Sequence, residues 1–303
     1  LIIGISLNPE SGKGRGSRYR REIFQILSTY DVKVVELVAD SAEQRLLRIR
    51  TAVQTREIDA LIVAGGDGMI HLAVAATAGS NIPLGIVAIG TGNDIAREFM
   101  LPSHHIEGSL QQIMTAFLTQ KFYLADVLEI TSRAETHYAL AIASVGIDAD
   151  VNQRANQMSW PKGNLRYLRA IPPALKSFQP YGVKLTIDGV VKSGSITLLS
   201  IANTRYFGGG LNIAPDALPN DGLLDLVLVG GLKMRTIGGL LSRLMFERHT
   251  LHPFVHTRRI KSVLIEPDLS CGAQPPALMA DGEYICELPA KINVLPGALQ
   301  LAM

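Results

Sequence analysis

Three short segments combine glycines with polar side chains at spacings suited to holding an anion: Asn8-Pro9-Glu10-Ser11-Gly12-Lys13-Gly14, Gly65-Gly66-Asp67-Gly68 and Gly90-Thr91-Gly92-Asn93-Asp94. Glycine admits a ligand where a Cβ would intrude, and successive backbone N–H groups at a strand-to-helix turn converge on a phosphate. Asp67 can orient Mg²⁺ or a ribose hydroxyl, or it can simply cap the helix that starts near Met69. The first segment is not a Walker A loop, because Leu7 stands where that pattern needs its first glycine and Gly14 follows Lys13. Alone, it reads equally well as a basic turn. A fourth segment, Asp281-Gly282-Glu283, carries two carboxylates that would share one side of an extended strand. Carboxylates so placed can accept the proton of an attacking hydroxyl. The competing reading is a hairpin turn, since the chain has four Asp-Gly pairs and the one at Asp188 is expected to be a turn alone.

These residues need elements to position them. The 303-residue length favours two domains. From Leu1 to about Ala125, β-branched runs alternate with helical periods, the signature of a parallel sheet with crossover helices. Strands are expected at Leu1–Leu7, Val32–Val38, Ile58–Ala64 and Leu84–Ile89. Ile23, Phe24, Ile26 and Leu27 give one helix its apolar face, and Leu46, Leu47, Ile49 and Val53 give the next. Asp40 or Ser41 would cap that second helix. All three glycine-rich turns then follow carboxyl ends of strands, where open α/β sheets place their ligands.

From about Asp126 the period changes to longer alternating strands with hairpin turns. Strands are expected at Val183–Ile187, His137–Val145, Ile196–Ala202, Leu223–Val229, Arg259–Ile265 and Ala290–Leu295, with helices near Leu165–Phe178 and Thr236–Phe246. The expected fold class is α/β: a parallel-sheet domain carrying the three phosphate-binding candidates over residues 1–125, to which the tail 288–303 can return. A β-rich, sandwich-like domain over 126–287 follows, with the active site in the cleft.

Hydrophobic residues make up 47% and charged residues 18%, as in well-packed globular proteins, and the formal net charge of +2 gives no field for nucleic acid. Cys271 and Cys286 match neither a zinc site nor a disulfide framework, which suits a reducing cytoplasm. No apolar run reaches the ~18–20 residues of a membrane span. The opening Leu1–Leu7 reads as a strand, not a signal peptide, and without Met at position 1 further residues can precede it.

The segments NPESGKG, GGDG and GTGND, in this order and spacing, resemble the catalytic domain of the diacylglycerol kinase-like lipid kinases. Ala214–Leu224 and Asp281-Gly282-Glu283 resemble that family's later motifs, so the similarity spans nearly the whole chain, and the soluble bacterial members are most alike. The resemblance implies ATP-dependent phosphorylation of a lipid hydroxyl such as that of diacylglycerol. It implies ATP binding by Asn8, Pro9, Glu10, Ser11, Gly12, Asp40, Gly65, Gly66, Asp67, Gly68, Met69, Thr91, Gly92, Asn93 and Asp94. It also implies Glu283 as proton acceptor supported by Asp281, and a structural Mg²⁺ held by the Asp221 side chain with the carbonyls of Leu218 and Leu223. The family usually follows GGDG with Thr, an apolar residue, Asn and Glu, whereas this chain has Met69, Ile70, His71 and Leu72. Losing one hydroxyl donor to a charged ligand costs ~1–3 kcal/mol.

Two rival readings remain. NAD kinases share a GGDG turn but do not pair it with the first loop and GTGND, and a nucleotide- or lipid-binding protein without transfer would explain Met69. Finally, Ile237, Leu240, Leu241, Leu244 and Met245 share a helical face beside Lys233, Arg235, Arg243, Arg248, Arg258, Arg259 and Lys261, with Glu247 the only acid between 233 and 261. Such a surface can rest on the anionic inner face of a membrane or pack on its own domain.

Overall fold

A computed structural model describes every residue except 9–15, 159, 161–164 and 233, and the side chains of 165–168, 177, 234, 235 and 241 also lie outside the description. The chain forms two compact units, Leu1–Val127 with Gly297–Met303, and Leu128–Pro296.

The first unit alternates strand and helix: β1 (Ile2–Leu7), α1 (Gly16–Leu27), β2 (Lys33–Glu36), α2 (Ala42–Gln54), β3 (Ala60–Gly65), α3 (Asp67–Thr77), β4 (Leu84–Ala88), α4 (Asp94–Glu98) and α5 (Ile106–Thr119). The strands pair in parallel in the order β2-β1-β3-β4. β3 and β4 are buried along their whole length, as their unbroken apolar runs require of strands covered on both faces. Ile23 and Leu27 of α1 and Leu110, Ile113 and Phe117 of α5 pack in one core with β1 and β3. α2 buries a different stripe from the expected one: Arg45, Ile49 and Ala52 face inward, whereas Leu47 is 66% exposed. At 100° per residue Leu47 lies 200° from Ile49, so the two cannot share a face. Ser41, not Asp40, is the N-cap, its hydroxyl accepting the Gln44 N–H at 3.1 Å.

Two strands begin or end in this unit and continue into the second: β5 (Tyr123–Ser132) and, last in the chain, Ala290–Leu301. The buried Asp126 carboxylate accepts the Gly297 N–H at 2.7 Å, and Leu301 then pairs in parallel with Leu84 of β4.

The second unit is mainly antiparallel. After β5 come β6 (Glu135–Ala139), β7 (Ile142–Gly146), α6 (Ile147–Gln157), α7 (Leu165–Ser177), β8 (Tyr181–Ile187), β9 (Val190–Ala202), β10 (Tyr206–Phe207), β11 (Leu211–Asn212) and β12 (Leu224–Gly230). α8 (Met234–Met245), a 3₁₀ turn at His249–Leu251, β13 (Val255–Ile260), β14 (Ser262–Pro267), β15 (Leu278–Ala280), β16 (Glu283–Cys286) and β17 (Ala290–Leu301) complete it. β9 organises the sheet: its first half pairs with β8, and its second half lies between β7 and β12. Leu199, Ile201, Val263, Ile265 and Ile292 belong to the core these strands enclose.

Two expected strands are each two strands. His137–Val145 breaks at Leu140-Ala141 into β6 and β7, and Arg259–Ile265 breaks at Lys261 between β13 and β14. The cause is the same in both places. Asp281 and Gly282 (φ 52° and 85°) form the two-residue turn between β15 and β16, and Asp188 and Gly189 (φ 47° and 85°) form the one between β8 and β9. Positive φ at both positions is the type I′ requirement that Asp-Gly meets. Each turn aspartate then captures backbone N–H groups of the neighbouring strand. Asp281 accepts from Leu140, Ala141 and Ile142 at 3.0, 2.9 and 3.2 Å. Asp188 accepts from Lys261 and Ser262, both at 3.0 Å.

Candidate active site

In the first unit the loops after β1, β3 and β4 emerge at the carboxyl ends of adjacent strands, because the sheet order places β3 between β1 and β4. Asn8 N–H donates to the Ala64 carbonyl at 3.2 Å and Ile89 N–H to the Gly65 carbonyl at 2.9 Å, tying the three strand ends together. Of the first loop, Pro9, Glu10, Ser11 and Gly12 lie outside the described residues.

The second and third loops touch through their glycines. A Cβ on Gly90 would come 2.3 Å from the Gly66 Cα and 2.8 Å from Asn93 Oδ1, and one on Gly92 would come 2.8 Å from Asp67 Oδ2. These glycines are required by backbone packing as well as by ligand access. Asp67 is the first residue of α3 and not its N-cap. Gly66 is the N-cap of α3 without a side-chain bond, and Asp67 Oδ1 instead accepts the Ile95 N–H of α4 at 3.3 Å. One carboxylate thus links GGDG to GTGND. Asn93 is 6% exposed, in the left-handed conformation at φ 53°, and its Oδ1 has no hydrogen-bond partner among the described residues. Thr91 is exposed, and Asp94 pairs with Arg97 at 2.7 Å. Met69 and His71, in the first turns of α3, are 5% and 8% exposed, so Met69 fills core space.

Arg45 is a positioning residue that the pattern of apolar positions hid. It is 7% exposed and donates to the Leu7 carbonyl at 2.6 Å, Ser6 Oγ at 3.3 Å and the Ala39 carbonyl at 2.8 Å. Burial lowers its pKa from the ordinary guanidinium value. It fastens the end of β1, from which the first loop departs, to the segment carrying the exposed Asp40. Its spacing of four and seven from Ile49 and Ala52 is the sequence signal that could have revealed it.

In the second unit Asp281 and Glu283 do not share the side of an extended segment, because Asp281 lies inside the I′ turn and Glu283 opens β16 opposite Ala280. Asp281 has three backbone N–H bonds on its two oxygens, while Glu283 is exposed. Asn156 of α6 steadies the turn by donating to the Gly282 carbonyl at 3.0 Å. Near the start of α6, burial pushes the Asp148 carboxyl, whose two oxygens have no hydrogen-bond partner among the described residues, up to about 6.

Asp221 Oδ1 accepts the Leu223 N–H at 3.0 Å, and its Oδ2 lies 3.2 Å from Arg259. Asp216 and Asp225 stand by; burial raises the Asp225 pKa, Arg259 lowers it, and Asp221 and Asp216 raise it further. Among the described residues no cluster of three or more His, Cys, Asp or Glu side chains could hold a metal, and no helix is long and apolar enough to cross a membrane.

Family models match both parts of the chain: a diacylglycerol kinase catalytic domain over residues 3–124, and a YegS C-terminal NAD kinase beta sandwich-like domain over 141–303. A diacylglycerol kinase of Mycobacterium tuberculosis is 34% identical over 296 residues, covering 97% of this chain and 92% of that protein. A diacylglycerol kinase of Staphylococcus carnosus is 26% identical, covering 94% and 90%. A crystal structure of a diacylglycerol kinase from Bacillus anthracis superposes with a TM-score of 0.74 at 20% identity, covering 99% of this chain and 96% of that one, which shows a shared fold. With 34% identity over 97% of its length to one such kinase and both family models matched, the chain belongs to the diacylglycerol kinase-like family of lipid kinases.

Proposed function

We propose that this kinase transfers the terminal phosphoryl group of ATP to the hydroxyl of a diacylglycerol-type lipid, in line and with Mg²⁺. The observation that carries the reading is the pair of glycine turns locked together at Gly66 and Gly90, with Asp67 bridging to α4. Both turns are at the carboxyl ends of adjacent parallel strands, where backbone N–H groups can receive phosphates.

In this reading Asn8, the GGDG turn and Thr91-Gly92-Asn93-Asp94 hold the nucleotide, joined by Pro9, Glu10, Ser11, Gly12, Asp40 and the backbone of Met69. Mg²⁺ arriving with ATP neutralises phosphate charge that would otherwise repel Asp67 and Asp94. Glu283 accepts the proton of the acceptor hydroxyl. Asp281 supports it by holding the hairpin, since three of its acceptor positions are already filled by N–H groups. A structural Mg²⁺ held by Asp221 and the carbonyls of Leu218 and Leu223 would have hard oxygen donors, and it would compete with Arg259 for Asp221 Oδ2, 3.2 Å away. Its contribution would be to brace the turn before β12. The enzyme works in the cytoplasm, reaching its acceptor at the inner face of the membrane.

The test is labelled-phosphate transfer from ATP to a panel of lipids and to NAD, with Asp67→Ala and Glu283→Gln as controls. Transfer to lipid that both substitutions abolish is expected. Transfer to NAD alone would select the NAD kinase-like reading, and no transfer to any acceptor would select a binding protein.

A further inference from the structure

α8 does not offer the outer face that its periodicity suggests. Ile237 and Leu244 are each only 9% exposed, so that stripe packs into the second unit. The exposed apolar side chains cluster where the helix ends: Met245 is 67% exposed, Phe246 77%, Leu251 76% and Phe254 50%. All four fall within one short stretch of chain that turns back on itself.

That stretch is built, not frayed. Glu247 takes the left-handed conformation at φ 56°, and the Arg248 N–H returns to the Arg243 carbonyl at 2.8 Å, the closing bond of a Schellman-type cap. His249, 2% exposed, anchors the following 3₁₀ turn through a 2.8 Å bond between Nε2 and the Ile213 carbonyl. The Phe254 carbonyl accepts the Gly230 N–H at 2.9 Å, fastening the far side to β12. The fold therefore presents large apolar groups to solvent on a backbone held by these hydrogen bonds. Exposed apolar groups collected in one patch mark an interaction surface.

Its surroundings indicate the partner. Arg243 and Arg248 are exposed within the same stretch, against the single acid Glu247 between 243 and 254. Apolar side chains flanked by cations match the boundary between anionic headgroups and acyl chains.

We infer that Met245, Phe246, Leu251 and Phe254 insert into an anionic bilayer while Arg243 and Arg248 contact its headgroups. The inference rests on the proposed lipid acceptor, which resides in such a surface. The test is co-sedimentation of the full chain with vesicles of phosphatidylcholine containing 0 or 30 mol% phosphatidylglycerol, a composition of roughly physiological anionic density. Phe246→Glu/Leu251→Glu and Arg243→Glu/Arg248→Glu are compared with the parent, and turnover is measured on a dispersed short-chain diacylglycerol. Expected are about tenfold stronger binding to the anionic vesicles, about tenfold loss in each double variant, and turnover on the dispersed lipid within about twofold of the parent. Equal binding to both vesicle types, or unaltered binding by both variants, would overturn the inference. So would a dimer in light scattering that Phe246→Glu/Leu251→Glu dissociates while vesicle binding persists, because the patch would then face a second copy. Absence of turnover on dispersed lipid in every protein, with vesicle binding as expected, would instead count against the lipid-kinase reading.

Discussion

Removing the Asp281 carboxylate should destabilise the second unit and remove activity together, whereas removing its twin Asp188 should only destabilise. Asp281→Ala leaves three backbone N–H groups, now bonded at 2.9 to 3.2 Å, without their acceptor, and places Ala at φ 52°. At about 1 kcal/mol per bond after allowance for partial exposure, the loss is about 3 kcal/mol. Asp188→Ala releases two bonds in a more exposed setting, about 1–2 kcal/mol. For a unit of this size each kcal/mol lowers Tm by about 2–4 °C, so shifts of about 6–12 °C and 2–8 °C are expected. Calorimetry supplies the shifts, and phosphate transfer at a temperature well below both transitions supplies turnover per folded molecule. Asp188→Ala should keep parental turnover. Glu283→Gln should lose turnover by at least about 10²-fold with little change in Tm. If Asp281→Ala melted within 1 °C of the parent, the three-bond anchor would be refuted, along with the view that Asp281 acts through the hairpin.

Other substitutions probe the remaining parts. Gly90→Ala forces the GGDG and GTGND turns apart by about 1 Å, so it should raise the KM for ATP at least tenfold and cost about 1–3 kcal/mol, read by kinetics and thermal melting. Arg45→Met should loosen the end of β1, raising the KM for ATP more than it lowers kcat, while Arg45→Lys recovers only part of the loss because it cannot reach three acceptors. Asp148 is held near 6 in the fold against an ordinary value of 3.8, so the folded state binds the proton more tightly. Its charge therefore costs stability that is fully incurred above about pH 6 and disappears below about pH 4. Asp148→Asn should stabilise the protein at pH 7 by up to about 3 kcal/mol, and chemical denaturation at pH 4 should show that gain gone.

What the sequence determined by itself is local. Strand-to-helix turns at Gly65 and Gly90 follow from unbroken apolar runs ended by glycine, and those runs dictate β3 and β4. The change of period near residue 125 announces the β-rich unit, since alternation is a property of neighbouring residues. Tertiary structure decided everything that depends on residues far apart in the chain. Periodicity could not foresee that Asp281 would cut the run His137–Val145 in two, because the N–H groups it captures lie about 140 residues away. The same holds for Asp188 and the run Arg259–Ile265. Nor could it show that Arg45 would be buried: a guanidinium enters a core only where carbonyls from two other segments already converge to meet it. The patch at Met245 to Phe254 is the converse case. Apolar residues read as a packing face, and only the fold shows which of them stay exposed, because burial is set by what the rest of the chain brings alongside.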